Sequence, residues 1–157
     1  MPKRVLVFIL LTLLLGACSS EDKSSTGAEI DYKVGFFAPE RGPNGSTWRW
    51  MGPEGVIRLR NTRRDMLLSI KGYVPAQVPQ PSAINVKFNG EPLDQMLMTK
   101  EEAQKQYAIP AAKQGSGEWS ELVLSANQSY IPHEADPTIP DPRRLAFSLS
   151  SLEWTRK

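Results

Sequence analysis

The 157-residue chain has 19 basic and 17 acidic side chains, a formal net charge of +2, one histidine and one cysteine. A lone histidine, His133, excludes His-rich zinc sites and leaves any Ser-His-Asp arrangement hanging on one loop residue, and a lone cysteine excludes an intrachain disulfide. Two of the basic side chains, Lys3 and Arg4, precede an apolar run; without them the balance is 17 against 17, which argues against nucleic acid as a partner.

In chain order, the first element is a charged start (Lys3, Arg4) followed by residues 5–15, apolar except for Thr12. That is the layout of a secretory signal, and the run is shorter than the roughly 20 residues a membrane-spanning helix needs. Leu15, Gly16 and Ala17 then lead to Cys18. This ending resembles the lipobox of bacterial lipoprotein precursors. The resemblance implies that residues 1–17 are cut away and that Cys18 becomes the acylated (palmitate-type) first residue. It further implies that the partner is a membrane, met through the lipid anchor, and that the address is the bacterial cell envelope. Ser19 stands where enteric inner-membrane lipoproteins carry aspartate, which favours the outer membrane in a host with two. Residues 18–29 are polar and read as a flexible tether, leaving residues 30–157 as one domain.

Within that domain, 13 prolines and 11 glycines cut the chain into short pieces rich in β-branched and aromatic residues. Strands are expected over residues 30–37, 47–51 and 56–60, with Gly52-Pro53-Glu54-Gly55 as a tight turn, and then over 66–74. Ile84, Val86 and Phe88 alternate with Asn85, Lys87 and Asn89 as in a half-buried strand, and Asn89-Gly90 suits a two-residue hairpin to residues 93–98. Residues 99–106 suit one helical turn, with Thr99 and Glu102 at capping-box spacing. Further strands are expected over 107–109, 118–125 and 145–154, with Leu145, Phe147 and Leu149 facing inward and the last strand lying near the first. The sum is an all-β chain: an antiparallel two-sheet β-sandwich, jelly-roll-like.

Four segments carry a second resemblance: residues 35–40, 48–52, 86–90 and 141–145. In order and spacing they are similar to an accessory β-sandwich domain at the ends of some bacterial glycosyltransferase and methyltransferase chains, except that Ala146 replaces that family's glycine. The resemblance implies a galactose-binding, jelly-roll fold and brings no established activity.

Trp48 and Trp50 sit two apart, so a strand places both on one face with Arg49 opposite. With Trp119 and Tyr130 they could form a platform stacking on sugars, or they could be packing residues. Arg49 could instead pair with Glu54 or Asp141. Arg58, Arg60, Arg63 and Arg64 are a candidate patch for an anionic partner, or simply a solvated face beside a turn. Glu134, Asp136 and Asp141 could offer oxygens to calcium, but no Asp-x-Asp-x-Asp-Gly loop is present, so the reading is no metal, no cofactor, and local pairing of Asp141 with Arg143. Glu118 and Glu121 are two acids near a strand, and no hydrolase or phosphate-loop motif occurs, so no catalytic residue is assigned and no enzyme is expected. The expected function is a membrane-anchored module binding glycan, with a protein-interaction or scaffold subunit in envelope assembly as the alternative.

Overall fold

A computed structural model describes residues 28–99 and 101–157. The expected signal sequence, with Leu15, Gly16, Ala17 and Cys18, and nearly all of the expected tether lie outside the described residues. Nine strands follow in order: β1 (Ile30–Phe36), β2 (Glu40–Arg41), β3 (Thr47–Arg60), β4 (Met66–Tyr73), β5 (Ser82–Phe88), β6 (Glu91–Met98), β7 (Ala103–Ile109), β8 (Trp119–Ala126) and β9 (Phe147–Arg156). A 3-10 turn at Ala111–Gln114 and a one-turn helix, α1 (Pro132–Ala135), are the only helical pieces described. Neither is long and apolar enough to cross a membrane.

All strand pairs are antiparallel, in the order β6-β5-β8-β3-β9-β4-β7, with β1 and β2 also on β3. Strand β3 joins the two halves of the sandwich. Its start pairs with β9 from Arg49 to Met51, and its end pairs with β8 from Glu54 to Arg60. The segment expected as a tight turn, Gly52-Pro53-Glu54-Gly55, is therefore a bend inside one 14-residue strand. Strands that switch sheets need such corners, and a proline there gives up only one ladder hydrogen bond. The corner is built for close approach: Gly35 in β1 has φ +77°, and a Cβ there would overlap Glu54 O. A Cβ on Gly55 would overlap the Phe36 ring.

The halves pack face to face. Ile57, Leu59, Ile84, Val86, Phe88, Leu122 and Leu124 on one side meet Met66, Leu68, Ile70, Phe147, Leu149 and Trp154 on the other. Phe88 and Trp154 touch across the layers with ring centroids 6.1 Å apart, and Trp154 Nε1 donates to Arg60 O at 2.9 Å. The edge strands β6 and β7 are tied where the Tyr107 hydroxyl donates to Asp94 Oδ2 at 2.9 Å, and burial followed by that carboxylate pushes the Tyr107 phenol pKa up.

The alternation expected for Ile84, Val86 and Phe88 is present, and Asn89 (φ 50°) and Gly90 (φ 81°) make the two-residue turn into β6. Three local expectations change. In place of the helical turn expected over residues 99–106, the chain from Ala103 on is strand β7, which finds a full ladder on β4 from Gly72 to Met66. Thr99 Oγ1 accepts from Glu101 N at 3.2 Å, a local turn and not a capping box. Ala146 and Ser148 do not face solvent: residues 145–149 are all buried, since neighbours cover both faces of β9 there. The last strand sits between β3 and β4 and not beside β1, and Ala28 N, just ahead of β1, donates to Trp154 O at 2.9 Å.

Candidate functional site

The first residues of β3 place Trp48 and Trp50 on one face. Across the sheet Trp50 pairs with Ser148, which pairs with Tyr73. Because Ser148 is small and buried, the two flanking aromatics meet over it edge to face, centroids 6.0 Å apart and planes at 70°. One step along, β9 slips register between Lys71 and Gly72, so Ser150 interrupts the ladder. Lys71 Nζ lies 2.8 Å from Glu102 Oε2. Hydrogen bonds from Lys71 and then Ser150 hold the Glu102 carboxyl below its ordinary pKa of 4.5.

These side chains surround a groove of about 590 Å³. Trp48 and Tyr73 are its aromatic walls, the Lys71–Glu102 pair and Ser150 its polar ones, and residues 45–47 its rim. The size falls within the range of small-molecule sites, and apolar rings with a few convergent polar groups are what such sites contain. The rim is shaped by an Asx turn: Asn44 Oδ1 accepts from Ser46 N at 3.1 Å and from Ser46 Oγ at 2.6 Å. Trp48 Nε1 is screened from solvent and has no acceptor among the described residues.

A polar chain braces the site from behind. Trp50 Nε1 donates to Glu40 Oε2 at 3.2 Å, and Glu40 Oε1 accepts from Arg143 Nη1 at 2.8 Å. Arg143 also grips Asp141 through Nε and Nη2 at 2.9 and 2.8 Å, so the Asp141–Arg143 pairing expected from sequence is present. Its guanidinium stacks 5.1 Å over Phe37. Arg143 holds the Asp141 carboxyl below its ordinary pKa of 3.8. Tyr130, bridged to Leu145, is half-buried beside this network; burial first, then Asp141 and Tyr73, raise its phenol pKa.

The structure thus gathers Trp48, Trp50 and Tyr130 into one region but separates the other candidates. Arg49 points to the opposite face, 4.4 Å over the Tyr32 ring, donating to Phe37 O at 3.3 Å and not to Glu54 or Asp141. Trp119 pairs with Arg60 at the far end of β3, where Arg58 and Arg60 lie 5.0 and 5.2 Å from its ring. Arg60 is partnered by Glu118 at 3.3 Å. Arg63 spends its guanidinium on the carbonyls of Gly115, Ser116 and Gly117, so it clamps a loop, while the neighbouring Arg64 is exposed.

The three acids considered for calcium do not converge. Asp136 accepts from Thr138 N and Oγ1 at 2.9 and 2.7 Å, Asp141 is taken by Arg143, and no trio of metal-ligating side chains is placed together among the described residues. Sequence reasoning missed Tyr73, Lys71, Ser150 and Glu102. A usable signal existed for the first two: Lys71 and Tyr73 repeat the two-residue spacing of Trp48 and Trp50, so one strand face carries both pairs.

No protein-family model matches the sequence, and no curated protein matches it. Solved structures similar to the chain include a family 35 carbohydrate binding module from an environmental isolate, at 11% identity and TM-score 0.45 over 81% of this chain and 92% of that one. Another is a family 35 carbohydrate binding module from Clostridium thermocellum, at 12% identity and TM-score 0.43, covering 83% of this chain and all of that one. An exo-β-1,3-galactanase from Phanerochaete chrysosporium, solved with β-1,3-galactotriose, aligns at 10% identity and TM-score 0.36 over 82% of this chain and 26% of that one.

Proposed function

We propose that the chain is a non-catalytic glycan-binding module, held at a bacterial envelope membrane by lipid on Cys18. The observation that carries the binding reading is the groove between Trp48 and Tyr73. Two rings face an open channel whose other walls offer a hydroxyl, an ammonium and a carboxylate. A sugar presents the matching pair of surfaces: CH groups that meet a ring's π-face, and hydroxyls that both donate and accept. Lys71 and Glu102 already pair with each other, so neither is spare for acid–base chemistry, whereas both suit fixing hydroxyls in register. Anchoring rests on the lipobox: three acyl chains bury many methylenes at about 0.8 kcal/mol each, beyond what stable attachment requires.

Glycan-array screening of the full chain in detergent, followed by titration calorimetry on the hits, tests the binding reading. Saturable binding that Trp48→Ala weakens at least about tenfold is expected, a loss of 1.4 kcal/mol or more. The absence of any saturable saccharide would end this reading.

One observation favours a protein-interaction role instead. Val34 is 66% exposed and pairs laterally with Val56, which pairs with Val123, giving an apolar row on the other half of the sandwich. Capture of one stoichiometric envelope protein, lost on Val34→Asp, together with no saccharide binding, would select that reading.

A further inference from the structure

A second groove, of about 400 Å³, lies on the other side of the same ridge. It forms where the start of β3 parts from β9, and it shares Thr47, Trp48 and Ser150 with the groove described above. Its charged side chains are Arg41 and Arg49, and among the described residues no carboxylate lines it. Their common face follows from register: Arg41 pairs with Thr47, and Arg49 lies two residues further along β3. Glu40, the neighbouring acid, projects the other way toward Trp50 and Arg143.

Arg41 and Arg49 share with Arg58, Arg64, Arg144 and Arg156 the lack of an ion pair among the described residues, and what sets them apart is that both line one groove. Arg60 and Arg143 have carboxylate partners, and Arg63 is consumed by loop carbonyls. Among the described residues neither Arg41 nor Arg49 forms an ion pair; Arg49 has only the Phe37 carbonyl and the face of Tyr32. A half-buried guanidinium fixed against a ring is pre-oriented, and its partial desolvation strengthens whatever anion it meets. Hydroxyls of Thr47, Ser150 and Ser151 lie along the same groove.

We propose that Arg41 and Arg49 form the anion-binding end of the saccharide site, so that the ligand is an acidic glycan carrying a carboxylate or sulfate group. This rests on the glycan reading above. The neutral part of the ligand lies between Trp48 and Tyr73, and the chain passes Trp48 to bring its oxyanion to the guanidinium groups. Trp48 Nε1, which has no acceptor among the described residues, gains one if the ring turns toward a ligand oxygen.

The test uses the full chain in detergent and two matched probe pairs: oligogalacturonate against its carboxyl-reduced counterpart, and dextran sulfate against dextran. Calorimetry should show at least one acidic member binding about tenfold or more tighter than its neutral partner, since a hydrogen bond from a guanidinium to an anion is stronger than one to a neutral hydroxyl. The preference should weaken with added salt. Arg41→Gln, at an exposed residue that forms no ion pair among the described ones, should cut the preference without changing thermal stability, and Arg41→Gln/Arg49→Gln should abolish it. Neutral binding should survive both variants. Equal binding of acidic and neutral members, or a preference untouched by the arginine variants, overturns this inference and leaves the glycan reading standing. Failure of a full glycan array to yield any binder removes both.

Discussion

Arg143 is the residue whose chemistry is easiest to isolate. It joins Asp141 and Glu40 and stacks on Phe37, so a lysine there keeps the charge but loses the fork that holds two carboxylates at once. Arg143→Lys should cost about 1–2 kcal/mol in urea denaturation and loosen Trp50 through Glu40. The pH dependence follows from the sign of the Asp141 shift. Its folded-state pKa lies below the unfolded value, so its contribution is complete above that value and is lost as pH falls through the folded-state pKa. The stability gap between the native chain and Arg143→Gln should hold steady above the ordinary aspartate pKa of 3.8 and shrink as pH falls below it through the lowered folded-state value. A gap that stays constant through that window would show that the pair stabilises nothing.

Among the elements, the bend in β3 decides most. Gly35→Ala places a methyl into Glu54 O at a backbone with φ +77°, and should cost about 3 kcal/mol or more by thermal or urea unfolding. Gly90→Ala, also at positive φ but with open space around it, should cost only about 1 kcal/mol. Equal losses at the two sites would mean that close approach at the corner is unimportant. These elements also show what local sequence carries. Ile84, Val86 and Phe88 were readable because burial on one face writes a period of two, and Asn89-Gly90 because both residues need positive φ. The join through Gly52 and Pro53 was not, since turn residues look alike whether a chain reverses or changes sheet. Nor was β7, whose first residues, Ala103 to Gln106, end a stretch of helical composition and form a strand through their ladder with β4. The site divides the same way: the Trp48–Trp50 face follows from spacing, whereas Tyr73, Ser150 and Glu102 join it through pairings distant in sequence.

For the molecule as a whole, the proposed lipid anchor and the sandwich make separate claims. Cys18→Ser should leave an unprocessed precursor without lipid, read as a loss of acyl label and a mass that retains residues 1–17. Unchanged labelling and processing would remove the anchor. The equal numbers of acids and bases beyond residue 17 leave no overall field to recruit a ligand, so recognition must be local, at the ridge of Trp48 and its two grooves. The most direct test exploits the four tryptophans at positions 48, 50, 119 and 154, whose indole N–H groups give separate nuclear magnetic resonance signals. Titrating an array-selected saccharide into the nitrogen-labelled full chain should shift the Trp48 signal most and Trp50 less, with Trp119 and buried Trp154 unmoved. A saccharide that shifts Trp119 and leaves Trp48 in place would contradict the groove as the binding site.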